Sequence, residues 1–95
     1  MTRVRIQKII WTTGIKEHIA VHKVTLEEAE YVIFSDALIL EGHSYRKILV
    51  NRLASRIISV IVEIKGNKLK VFTARDASQI ERKKYYEYEK IKNRT

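Results

Sequence analysis

Apolar and charged positions alternate at the start of the chain. Val4 and Ile6 alternate with Arg3 and Arg5, and Ile9, Ile10 and Trp11 follow. A period of two is a strand signature, so a first strand is expected over Arg3–Trp11. Thr12-Thr13-Gly14 breaks the pattern, and either threonine is suited to cap a short helix over Gly14–His22. Ile15, Ile19 and His22 share one face of that helix, with His18 beside them. Thr25-Leu26-Glu27-Glu28 has the spacing of a capping box: the threonine oxygen accepts the third helical N–H and Glu28 reaches back to the Thr25 N–H. Ala29, Val32 and Ile33 carry the helix to about Phe34, where Ser35-Asp36 ends it.

Four apolar runs come next. Ala37–Leu40 and Tyr45–Val50 are expected as strands joined across Glu41-Gly42-His43-Ser44. Ile57–Ile64 is the most strand-like run of the chain, and Lys65-Gly66-Asn67-Lys68 turns it back into Leu69–Thr73. Ser78-Gln79-Ile80-Glu81 is a second capping box, opening a terminal helix over Ala77 to about Asn93 with Ile80, Lys84, Glu87, Tyr88 and Ile91 along one stripe. The expected order is β-α-α-β-β-β-β-α. Helices segregated from a run of hairpin-joined strands imply an α+β fold: a four- to five-stranded antiparallel sheet with helices packed on one face and its other face open to a partner.

Composition narrows the function. The 95 residues suit one small domain, 1–95. With no cysteine, disulfide scaffolds, thiolate metal sites and cysteine nucleophiles are excluded. Three glycines, Gly14, Gly42 and Gly66, leave no Gly-rich phosphate loop. No apolar run approaches the ~20 residues of a membrane span, and the N-terminus lacks the apolar core of a signal peptide. A cytoplasmic protein without a membrane association is expected.

The charge of +8 is unevenly spread. Residues 1–42 carry five basic and six acidic side chains, whereas residues 43–75 carry eight basic side chains against Glu63 alone. A localised basic surface concentrates and steers polyanions, so nucleic acid or an acidic protein is the expected partner.

An ordered set of short motifs resembles the BrnT family of toxins from prokaryotic type II toxin–antitoxin systems. The set begins with Trp11 at the end of the first strand, then His18 four before His22, then Val24. It continues with Thr25-Leu26-Glu27-Glu28-Ala29-Glu30, then Thr73-Ala74-Arg75-Asp76 after the sheet, then Glu81-Arg82 and Tyr85. The resemblance spans about residues 9–88. The chain departs from the family pattern at Lys23, at Ser55 ahead of Arg56, and at Lys70, where many members carry arginine.

The resemblance implies a RelE-like fold and metal-free cleavage of mRNA, with no cofactor and a cognate antitoxin as partner; the mRNA is ribosome-associated in one version. The ribose 2′-OH would attack the adjacent phosphate, helped by a base, an acid and cations that stabilise the growing charge. Arg75 is the first candidate for phosphate stabilisation, against a salt bridge to Asp76 or Glu81. Lys70, five before it, needs a bulge or strand-end twist to share its face. Arg46, Arg56 and Arg82 are candidates for positioning RNA. For His18 and His22, proton transfer and packing under the sheet stand as equal alternatives, and a metal role lacks a third ligand. Glu81 is either a base or only the capping-box acid, and Tyr85 either stacks on a base, donates a proton or packs the helix. A non-catalytic binding module on the same fold is the competing function.

Overall fold

The computed structural model describes residues 8–93. Its elements are β1 (Lys8–Trp11), α1 (Ile15–Ala20), α2 (Leu26–Phe34), β2 (Leu38–Glu41), β3 (Lys47–Leu53), β4 (Arg56–Lys65), β5 (Lys68–Asp76) and α3 (Gln79–Lys92). The order is the expected one, although the part of the first strand expected over residues 3–7 lies outside the described residues. Both capping boxes form: Thr25 and Ser78 each accept from the backbone three residues on, and Glu28 and Glu81 reach back. The helix α1 differs. Its N-cap is Gly14, with φ 79° and no side-chain cap, so neither Thr12 nor Thr13 plays that part.

The five strands form one sheet in the order β1-β5-β4-β3-β2. Three hairpins make β2 to β5 antiparallel, but β1 runs parallel to β5, so the sheet is mixed rather than fully antiparallel. A strand joined to its neighbour by a tight turn must reverse direction. No turn joins β1 to β5, and alternation along β1 carries no information about its partner. The chain instead leaves β1 at one edge, crosses one face through α1 and α2, and re-enters at β2 on the other edge.

Helices cover both faces, not one. On the first face Ile15, Ile19, Val24, Ala29, Val32 and Ile33 pack on Leu49, Ile58, Val60, Val62, Leu69, Val71 and Ala74. On the second, Tyr85 and Ala77 pack on Val50 and Ile57, flanked by Leu38, Leu40, Ile48 and Tyr88. The cause is visible in β4, whose consecutive apolar residues Ile57 and Ile58 place a buried side chain on each face, as a strand covered on both sides requires. The buried stripe of α3 is Glu81 and Tyr85, with Ile80 and Ile91 about two-thirds exposed, at 70% and 66%. The helix therefore lies rotated from the stripe expected through those two isoleucines.

Two features of the strands bear on the site. The β3–β4 hairpin turns on Ala54-Ser55, with Ala54 at φ 57°, a conformation that costs a non-glycine residue energy. In β5 the register shifts by one: Ile61 pairs with Thr73, but Val62 pairs with Val71, leaving Phe72 as the extra residue of a β-bulge.

A polar junction joins α3 to α2. The Tyr85 hydroxyl donates to Asn51 Oδ1 at 2.7 Å, and Asn51 Nδ2 donates to Ser35 Oγ at 2.6 Å, which itself donates to the Val32 carbonyl. Tyr85 is only 2% exposed, and burial raises the pKa of its phenol. Tyr85→Phe removes this donor and is expected to cost about 1–2 kcal/mol in denaturant unfolding.

Candidate functional site

The centre of the candidate site is an ion pair at the start of α3. The Ser78 capping box fixes Glu81 over β4 and β5, and its carboxylate accepts four hydrogen bonds. Oε1 takes the Ser59 hydroxyl at 2.8 Å, Arg75 Nη1 at 2.8 Å and the Ser78 N–H at 2.9 Å, while Oε2 takes Arg75 Nη2 at 3.0 Å. Burial alone would raise the carboxyl's pKa. The bonds from Arg75, Ser78 and Ser59 outweigh it and bring the value down to about 2. A carboxylate so committed is a poor proton acceptor, so Glu81 holds Arg75 in place rather than serving as a base.

Arg75 keeps 32% of its side chain exposed. Its guanidinium is paired but not sequestered. Of five guanidinium N–H groups, the bonds to Glu81 and to the Asp76 carbonyl engage three, leaving two for a ligand. The bond to Glu81 raises its pKa further, so the charge is permanent.

The remaining predicted residues divide into two groups. Arg46 and Lys70 stand on the same sheet face as Arg75. Lys70 pairs with Glu63 and Arg75 with Ser59; those partners are four apart on β4, and the Phe72 bulge cancels the odd spacing on β5. The Arg46 guanidinium lies 3.9 Å from the centre of the Phe72 ring and Lys70 Nζ 5.3 Å from it. Tyr85 and Arg56 are not available in the same way. Tyr85 is buried with its hydroxyl on Asn51, the arrangement expected of the packing role. Arg56 spends its guanidinium on Asp76 Oδ1 and on the carbonyls of His22 and Lys23, bracing the α1–α2 loop against the end of the sheet.

His18 and His22 stack edge-on with ring centroids 5.9 Å apart. Both are exposed, His18 on α1 and His22 in the turn after it, which removes the reading that packs them under the sheet. They belong to the sheet face opposite Arg75. Among the described residues no group of three His, Asp or Glu side chains is placed to hold a metal ion. Arg82 is exposed and lines a cleft of about 240 Å³ at the sheet end with Ser55, Arg56, Ile57, Asp76 and Tyr86.

Placing the charges in the fold shows what the concentration of basic residues in 43–75 becomes. Lys47, Arg52 and Arg56 are matched by Glu41, Glu89 and Asp76. Arg46, Lys65, Lys68 and Lys70 have no carboxylate within ion-pair distance among the described residues. Lys65 pairs with Lys68 across the strands, and Lys68 with Lys8, so these cations line the half of the α3 face that α3 leaves open. Sequence reasoning missed Lys65, Lys68 and Phe72. The count of charges pointed to the first two, but only the bulge brings Phe72 among them.

Five mixed strands, two helices on one face and one on the other define a small α+β fold, that of the BrnT toxins. The crystal structure of the Brucella abortus ribonuclease toxin BrnT matches with a TM-score of 0.59 and 26% identity, covering 76% of this chain and 97% of that one. The chain is BrnT-like. No protein-family model matches it, and no curated protein does. No helix among the described residues is long and apolar enough to cross a membrane.

Proposed function

We propose that the chain is a ribonuclease toxin of a type II toxin–antitoxin system, acting on mRNA in the cytoplasm and neutralised by a cognate antitoxin. The observation that carries this is Arg75: a guanidinium oriented by a buried carboxylate, about a third exposed at 32%, at one end of a basic sheet face whose Arg46, Lys65, Lys68 and Lys70 have no carboxylate partner among the described residues. The likeness to a ribonuclease toxin supports it.

In this reading the basic face holds single-stranded RNA by its phosphates. Arg75 offers its two remaining N–H groups to the oxygens of the scissile phosphate, where charge grows as the ribose 2′-oxygen attacks phosphorus and the 5′-oxygen departs. Glu81, Ser59 and Ser78 preorganise that arginine. Among side chains on the Arg75 face, the half-buried Glu63, opposite Lys70, is the carboxylate left for proton transfer, since His18 and His22 lie across the sheet.

One observation favours the alternative, a module that binds RNA without cutting it. The two acid–base groups implied beside Arg75 are both committed, Glu81 to four hydrogen bonds and Tyr85 to Asn51. Induced expression in a growing culture separates the two. Wild type is expected to arrest growth and Arg75→Ala to permit it; equal growth of both would remove the toxin reading.

A further inference from the structure

The bulge in β5 does more than bring Lys70 onto the face of Arg75. It adds Phe72 to that face, while Val71 and Leu69 on the far side remain in the core. The ring, half-buried, carries the Arg46 guanidinium over it at 3.9 Å. The backbone of Arg46 is itself pinned. Its N–H donates to the His43 carbonyl at 3.0 Å and its carbonyl accepts from the Gly42 N–H at 2.9 Å. A Cβ on Gly42 would lie 3.1 Å from that same carbonyl, so a side chain there would have to push it back by a few tenths of an ångström. Ser44 and Tyr45 both hold positive φ values, 52° and 66°, in this turn. A strained turn and an irregular strand thus converge on one stacked pair.

The stack has no evident structural duty. Among the described residues Arg46 has no carboxylate partner, and Phe72 belongs to neither apolar cluster. A guanidinium centred 3.9 Å above an aromatic ring leaves its outer side for a further planar group, and nucleobases stack on such arginine and aromatic surfaces in single-stranded RNA. Lys70, 5.3 Å from the same ring, adds a cation for the adjoining phosphate.

We propose that Arg46 and Phe72 form a nucleobase-stacking subsite, with Lys70 on its phosphate, several residues along β5 from Arg75. The subsite rests on the RNA-binding reading above and deepens it: it receives a base rather than a phosphate alone, and it sets which nucleotide lies at Arg75.

The test uses the full chain and a single-stranded 2′-O-methyl RNA oligonucleotide, which is bound but cannot be cleaved, followed by fluorescence anisotropy. Phe72→Leu keeps an apolar side chain but loses the ring, and Arg46→Lys keeps the charge but loses the plane. Each is expected to weaken binding roughly 5- to 150-fold, the effect of losing one base stack, without changing the slope of log affinity against log salt. Lys70→Met is expected to lower that slope by about 0.7, one phosphate contact on a single strand. An abasic nucleotide at one position should weaken wild type by a similar factor and add little to Phe72→Leu. Circular dichroism of each variant checks that the fold is kept. Equal affinity of folded Phe72→Leu and wild type, or equal tolerance of an abasic nucleotide at every position, overturns the subsite while the RNA-binding reading stands. Absence of oligonucleotide binding by wild type removes both.

Discussion

Arg75→Ala is expected to slow RNA cleavage by at least ~10-fold, and toward ~10²-fold if the guanidinium stabilises the transition state as a preorganised donor does. The measurement is the single-turnover rate on a labelled RNA with protein in excess. Arg75→Lys should recover little. Lysine keeps one charge but lacks the planar fork that spans the Glu81 carboxylate and still has N–H groups to spare. An Arg75→Ala rate within twofold of wild type would assign the residue a structural role only. Stability must be measured beside the rate, because this change also leaves Glu81, 9% exposed, without its cation.

The second large effect is on stability and its pH dependence. The Glu81 carboxyl has a folded-state pKa of about 2, against an ordinary value of 4.5. A depressed carboxyl binds its proton more weakly in the folded state than in the unfolded state. Its contribution is therefore fully present above about pH 4.5 and is lost as pH falls toward 2. The difference corresponds to about 3 kcal/mol. Wild type is expected to lose that much more stability than Glu81→Gln between about pH 5 and pH 2, measured by urea unfolding. At neutral pH Glu81→Gln should itself be less stable by about 3 kcal/mol, since it leaves Arg75 without its buried counter-charge. Parallel pH profiles for the two proteins would show that the carboxylate is not held as described.

Much of the fold was legible because local chemistry specified it. The Thr25 and Ser78 capping boxes set the starts of α2 and α3, and Gly66-Asn67 marked the β4–β5 hairpin. What was hidden depended on long-range pairing. Nothing in Lys8–Trp11 names β5 as a parallel neighbour, and Ala54-Ser55 makes a tight turn without a glycine to announce it. The apolar run of β4 carried the information that both faces are covered, since Ile57 and Ile58 are each buried, but a continuous run does not say which helix lies on which side.

The candidate site was legible to a similar depth. Arg75 was found through its motif; the ion pair to Glu81 expected as its alternative forms, and N–H groups remain for the phosphate role proposed above. Lys70 was expected on its face only if the strand bulged, and it does, at Phe72. The choice among the roles open to Tyr85 could not be made from sequence, because three tyrosines within four positions, Tyr85, Tyr86 and Tyr88, differ only in helical phase. The rotation of α3 buries the first and leaves Tyr86 at the rim of the sheet-end cleft. The roles of His18 and His22 were undecidable from spacing, which places them on one helix face but not on one side of the sheet.

The central claim is that the Arg75 end of the basic face stabilises attack by a ribose 2′-oxygen on the neighbouring phosphate. Its most direct measurement is the chemistry of the new RNA ends, after incubation of purified, antitoxin-free protein with mRNA in a metal chelator, with and without ribosomes. Fragments carrying a 2′,3′-cyclic phosphate and a 5′-hydroxyl are expected. Intact RNA under both conditions, or fragments ending in a 3′-hydroxyl and a 5′-phosphate, would contradict it.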